Sequence, residues 1–190
     1  MRSFYHIWEG KDALSFHTVQ SIVHEGKAAK KTTAQTFSKT EKQDLKDVRV
    51  SQIAWLSDDE NLRNFLFQYV QTANVTSFGF DIMNQCDIQY TEYHASENGF
   101  YGWHLDHGTD LNNRVTHRKL SMTIQLSDSE DYEGGDFVFG GGVTTDRSKE
   151  AFRTKGTVLV FPSFIPHCIT PVTKGVRQSL VAWFEGPRWR

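Results

Sequence analysis

Two periodicities divide the chain. Leu62, Phe65, Leu66 and Val70 recur at helical spacing behind the acidic run Asp58-Asp59-Glu60. An amphipathic helix over about 59–73, with acidic N-cap chemistry, is therefore expected. From Phe78 onward the period falls to two. Leu120, Met122, Ile124 and Leu126 alternate with Ser121, Thr123 and Gln125, as on a strand with one apolar and one polar face. Phe137-Val138-Phe139 follows Gly134-Gly135, Thr157–Phe161 is an apolar run closed by Pro162, and Ser179–Phe184 stops at Gly186-Pro187. Strands punctuated by Gly, Asn and Asp turns predict an antiparallel sandwich or barrel behind a helix-bearing front. Residues 11–24 suit a short helix or a strand equally. Residues 25–47, rich in Lys, Thr and Gln without an apolar period, read as loop.

A length of 190 residues favours one domain, because two full cores would be cramped. With 38% hydrophobic and 23% charged residues, the composition is that of a soluble globular protein. A net charge of -2 gives no bulk attraction to nucleic acid or to an anionic membrane. No stretch approaches the ~18 apolar residues of a membrane helix, and the opening MRSFYHIWEGK lacks a signal-like apolar region. Cys86 and Cys168 cannot build a disulfide framework and form no CxxC. A cytoplasmic protein with reduced thiols, a monomer or a small homo-oligomer, is expected.

The chemistry is concentrated in four residues. His104 and Asp106 lie two apart, so on a strand their side chains share a face. A lone HxD is ordinarily a surface pair or a turn cap. His167 closes an apolar strand, where a histidine is ordinarily a satisfied core or edge residue. Ten residues later Arg177 opens another apolar strand, a costly place for a cation unless it meets an anion. Taken jointly they explain one another. Two histidines and a carboxylate form the facial triad of non-haem Fe(II) oxygenases, and the fork of a buried arginine suits a carboxylate ligand.

The surrounding text resembles the prolyl 4-hydroxylase-like branch of the 2-oxoglutarate/Fe(II) oxygenases, and within it the bacterial and phage PKHD-type hydroxylases. The likeness runs through Tyr93, Tyr101-Gly-Trp-His104-Leu-Asp106, Lys119-Leu-Ser-Met-Thr-Ile-Gln-Leu-Ser-Asp128, Asp131-Tyr-Glu-Gly-Gly-Asp-Phe137, Gly156–Ser163, and His167 through Pro171 and Gly175 to Arg177. It is strong over 78–187 and loose over 48–77, where Arg49, Ser51 and Asn74 look familiar; residues 1–47 match nothing. The resemblance implies one domain over 1–190. Residues 1–77 would be a helical and loop support, and 78–187 a distorted double-stranded β-helix, a jelly-roll of the cupin-like kind.

It further implies that His104, Asp106 and His167 hold Fe(II), and that 2-oxoglutarate and O2 are co-substrates. Ascorbate is the expected reductant, and a peptide or protein the expected substrate, hydroxylated on a proline while 2-oxoglutarate yields succinate and CO2. Arg177 would hold the far carboxylate of 2-oxoglutarate, with Tyr93 nearby. Animal-type members offer a tyrosine beside that arginine; here the position falls to Thr123 or Gln125, which a period of two cannot separate. Tyr101, Trp103 and Trp183 are candidates for the substrate mouth. The polar stretches 108–117 and 140–149, and with them 25–47, are expected to close over a peptide.

Three rivals meet obstacles. A nucleic-acid demethylase of this kind places a second arginine shortly after the first on the same strand, whereas Gln178–Trp183 follow Arg177. A metal hydrolase or a non-catalytic cupin-like module has no need of Arg177. Hydroxylation of a free amino acid remains open, since fold and triad do not write the substrate.

Overall fold

The computed structural model describes residues 4–34, 48–107, 115–143 and 147–189. Antiparallel pairing gathers them into two sheets. The larger runs in the order β1 (His6–Trp8), β10 (Val158–Pro162), β7 (Thr116–Gln125), β12 (Val172–Pro187), β5 (Cys86–His94), β4 (Gln52–Trp55) and β2 (Thr32–Thr33), with β8 (Tyr132–Gly134) pairing β12. The smaller runs β3 (Arg49–Val50), β6 (Phe100–His104), β11 (His167–Ile169) and β9 (Phe137–Phe139). This is a mainly β fold, the distorted double-stranded β-helix.

The alternation along β7 decides which face does what. Leu120, Met122 and Ile124 join the main core with Ile88 and Tyr90 of β5 and Leu180, Ala182 and Phe184 of β12. Helices α1 (Phe16–Ala28) and α2 (Glu60–Ala73) cover this apolar face with Val19, Ile22, Leu62, Leu66 and Val70. Residues of opposite parity on the same strands, Gln89, Tyr93, Thr123, Arg177 and Trp183, line a cavity on the other face. One strand pattern thus builds both the core and the site.

Local chemistry starts the helices. The Asp59 side chain accepts from the Leu62 backbone N–H at 2.9 Å, and Ser15 accepts from Thr18 at 3.1 Å, each filling an orphan donor of a first turn. Gly26 lets α1 approach the sheet: a Cβ there would lie 2.3 Å from the Tyr90 ring.

Several expectations change. The ambiguous 11–24 segment is helical and continues to Ala28, inside the stretch read as loop. Residues before 78 contribute β1 to β4 as well as helices, so the front of the chain belongs to the sheets and does not merely brace them. The last strand begins at Val172, with Arg177 inside it and opposite Tyr93. A short helix α3 (Lys149–Arg153) stands at the end of the second polar stretch. Much of 25–47, most of 108–117 and part of 140–149 lie outside the described residues, and with them the expected closure over a peptide. Cys86 and Cys168 are free and buried. No described helix is long and apolar enough to cross a membrane.

Candidate active site

His104 ends β6, His167 opens β11, and the two are register partners between these adjacent strands. Their ring centroids lie 4.2 Å apart, and Asp106 follows just beyond β6. The ligand atoms of His104, Asp106 and His167 all fall within 4.8 Å of one another. His104 Nε2 is 3.5 Å from Asp106 Oδ1, and His167 Nε2 is 3.4 Å from Oδ2.

Backbone carbonyls set the tautomers. His104 Nδ1 lies 2.8 Å from the Gly102 carbonyl and His167 Nδ1 3.0 Å from that of Ile165. A carbonyl only accepts, so each Nδ1 carries the hydrogen and each Nε2 lone pair faces the cluster. Burial alone would raise the Asp106 carboxyl; His167, His104 and a hydrogen bond from Ser121 outweigh it and hold the group well below the usual carboxylate range. Burial lowers His167 below its ordinary value, although Asp106 opposes the change. Asp106 thus stands as a carboxylate between two imidazoles whose Nε2 atoms face it.

The three residues stand at one wall of a cavity of about 410 Å³. Arg177 lines it too, 3% exposed, and its guanidinium contacts are Ser179 Oγ at 3.3 Å and the Tyr93 ring at 5.7 Å. No carboxylate among the described residues pairs with it. A buried guanidinium without a counter-ion calls for an anionic ligand. Gly135 (φ +61°) makes room for this side chain, since a Cβ there would sit 3.0 Å from Arg177 Cδ. Thr123 lines the cavity as well as a second, smaller space of about 230 Å³ that Gln125 also borders. Gln125 Nε2 is committed to the Ser127 carbonyl and Tyr132 Oη, both at 3.1 Å, while its Oε1 is buried without a partner. As oriented, Gln125 presents an acceptor, so Thr123 is the better placed of the two to donate to a carboxylate.

Of the mouth candidates, Tyr101 stacks on His104 with centroids 3.5 Å apart and planes 12° from parallel. Burial pushes its phenol up to about 12, with Arg49 opposing and Asp106 adding. Trp183 lines the cavity beneath the Arg118 guanidinium, 4.2 Å from its ring centre. Trp103 does not join them. It is 60% exposed and lies against Gly140; a register shift in the β6–β11 pairing brings Tyr101 and His104 to one face, and Trp103, one step from His104, turns to the other. His107 and His94 lie outside the metal-ligating cluster; His94 meets Glu92.

Arg49 is a cavity residue to which sequence reasoning assigns no role. It is buried, donates to Ser51 Oγ at 2.7 Å and Gln89 Oε1 at 2.8 Å, and lies 4.6 Å over the Tyr101 ring. Like Arg177, it lines the cavity with no carboxylate partner among the described residues. Strand β3, only two residues long, shows no period that could have oriented it.

A jelly-roll with two histidines and a carboxylate converging at one wall, and a buried arginine without a counter-ion among the described residues in the same cavity, defines the class of non-haem oxygenase folds. The profile of the 2OG-Fe(II) oxygenase superfamily matches residues 88–185, and the chain belongs to this family. It is 40% identical to a PKHD-type hydroxylase of Synechococcus sp. strain CC9902 over 85 residues, 45% of this chain and 36% of that protein. It is 31% identical to a PKHD-type hydroxylase of Gloeothece citriformis over 147 residues, 76% of this chain and 60% of the relative. The matched part thus spans from little more than a third to three fifths of these relatives. Among solved structures, a Pseudomonas putida prolyl-4-hydroxylase superposes with a TM-score of 0.69 at 20% identity, over 98% of this chain and 94% of that one.

Proposed function

We propose that the protein is an Fe(II)- and 2-oxoglutarate-dependent dioxygenase that hydroxylates a peptidyl proline. The observation that carries this reading is the pairing, in one cavity, of the His104–Asp106–His167 cluster with the buried Arg177, which has no carboxylate partner among the described residues. The donor set fits Fe(II): two imidazole nitrogens and one carboxylate oxygen, with Nδ1 of each histidine engaged elsewhere. Arg177 fits the far carboxylate of 2-oxoglutarate, with Thr123 as a second donor and Tyr93 against the guanidinium. When bound, Fe(II) with 2-oxoglutarate and O2 supplies the oxidising chemistry: one oxygen atom enters a substrate C–H bond, the other enters succinate, and CO2 leaves.

The protein's own part is orientation and dryness. His104, Asp106 and His167 set the ligand geometry. Arg177 fixes the length and direction of the co-substrate by a charge-assisted contact. Phe137, Phe161, Ile169 and Val181 keep the cavity apolar between the polar groups, which strengthens each electrostatic contact.

The proline reading is supported by the PKHD-type relatives and by structural likeness to prolyl hydroxylases. One of these, from Trichoplax adhaerens, was solved with a fragment of the hypoxia inducible factor oxygen degradation domain (TM-score 0.66, 17% identity). The same proposal takes residues 1–190 as one oxygenase domain, a monomer or small homo-oligomer, cytoplasmic, with ascorbate as reductant and without a nucleic-acid partner.

The test is succinate formation from 2-oxoglutarate in the presence of Fe(II), screened against proline-containing peptides and free amino acids. A peptide that stimulates turnover and gains one oxygen on proline is expected. Stimulation only by a free amino acid would overturn the peptidyl reading. Absence of Fe(II)-dependent succinate under every condition would overturn the activity.

A further inference from the structure

Asp106 is held by more than its place beside β6. Ser121 Oγ donates to Asp106 Oδ2 at 2.7 Å, and Ser163 Oγ lies 2.9 Å from Ser121 Oγ. Both serines are fully buried. A hydroxyl has one hydrogen. Ser121 spends its own on the carboxylate, so the hydrogen between the serines comes from Ser163. The chain therefore has a single direction, from Ser163 through Ser121 to Asp106, and each bond polarises the next.

Ser163 also fixes the backbone. Its carbonyl accepts from the N–H groups of Asp106 at 2.9 Å and His107 at 3.0 Å, and its own N–H donates to the Lys119 carbonyl at 3.0 Å. Two residues further on, the Ile165 carbonyl holds His167 Nδ1. The turn from Ser163 to His167 thus touches the orientation of two of the three candidate ligands.

We propose that Ser121 and Ser163 are positioning residues whose one-way hydrogen-bond chain locks the Asp106 carboxylate in its metal-binding orientation, with Oδ1 toward His104 and Oδ2 toward His167. This inference rests on the Fe(II) reading above. Its consequence is a ligand carboxylate whose direction would be set before any metal arrives, so that less ordering remains to be done on binding. The hydroxyls do this without adding charge to the site. Outer partners of this kind are worth about 10- to 100-fold in metal affinity.

The experiment measures Mn(II) affinity without O2, by the electron paramagnetic resonance signal of the free ion, alongside the melting temperature of the metal-free protein. Ser121→Ala should weaken binding about 10- to 100-fold, and Ser121→Thr, which keeps the hydroxyl, should restore most of it. Ser163→Ala should weaken binding less, and the double variant should bind like Ser121→Ala alone, because the Ser163 effect passes through Ser121. Affinity of Ser121→Ala indistinguishable from the unmodified protein, or a Ser163 effect that persists undiminished in the Ser121→Ala background, would overturn the proposal. Should Ser121→Ala fail to fold, Ser163→Ala decides: its backbone bonds survive, and unchanged affinity would sink the chain. Failure of the metal reading is distinct, and would appear as Asp106→Ala binding Mn(II) as well as the unmodified protein.

Discussion

The ring of Tyr101 lies flat on that of His104, 3.5 Å between centroids, with the Arg49 guanidinium 4.6 Å from the centre of the Tyr101 ring. This stack, with the Gly102 carbonyl at Nδ1, leaves His104 little freedom to rotate. Tyr101→Phe should keep the stack and the Mn(II) affinity. Tyr101→Ala should lose about 0.5–1.5 kcal/mol of aromatic contact, roughly 2- to 12-fold in affinity. Equal affinities for the two variants would show that the stack does not position the imidazole.

Arg177→Ala should raise the 2-oxoglutarate KM, because the buried cation meets the far carboxylate. Loss of one charge-assisted contact costs about 1.5–3 kcal/mol, roughly 10- to 150-fold. Arg177→Lys keeps the charge but not the fork, so it should fall between. Steady-state succinate formation measures both, and an unchanged KM in Arg177→Ala would remove the anchor.

Behind the sheet, Glu92 is buried and meets Lys31 Nζ at 2.7 Å, Tyr90 Oη at 2.8 Å and His94 Nε2 at 3.2 Å. Burial alone would raise its carboxyl, but the hydrogen bonds and charge of Lys31, with Tyr90, lower it. A carboxyl depressed on folding stabilises the protein above its unfolded value, near 4.3. That stability is lost as pH falls through the folded value. The melting temperature of the unmodified protein should therefore fall more steeply below about pH 4.3 than that of Glu92→Gln. Parallel curves would deny the linkage.

Gly26→Ala sets two effects against each other. Alanine gains about 1 kcal/mol of helix propensity, but its Cβ would lie 2.3 Å from Tyr90, an overlap that no rotamer relieves. Overpacking costs about 1–3 kcal/mol or more, so the clash should win and the melting temperature should fall. A rise would mean that α1 lifts from the sheet at little cost.

The β half of the fold was legible because Leu120, Met122 and Ile124 alternate with Ser121 and Thr123 over a full strand, and that alternation separates the core face from the polar face. The grouping of His104, Asp106 and His167 was legible for the same reason: parity puts the first two on one face, and cross-strand register supplies the third. That Tyr101 lines the cavity and Trp103 does not was illegible, because the two share a parity that the register shift in β6 breaks. Strands β1 to β4 are two to four residues long, too short for any period to show, so Arg49 went unassigned. Ser121 and Ser163 carry no pattern of their own; only the pairing of β7 with β10 brings them to Asp106.

The most direct test of the central claim is the anaerobic visible spectrum with Fe(II) and 2-oxoglutarate. If the cluster holds the metal and Arg177 directs the co-substrate to it, a weak charge-transfer band should appear only when both are present. Asp106→Ala should abolish the band, and Arg177→Ala should require far more 2-oxoglutarate to produce it. No band in the unmodified protein, or an undiminished one in Asp106→Ala, would contradict the account.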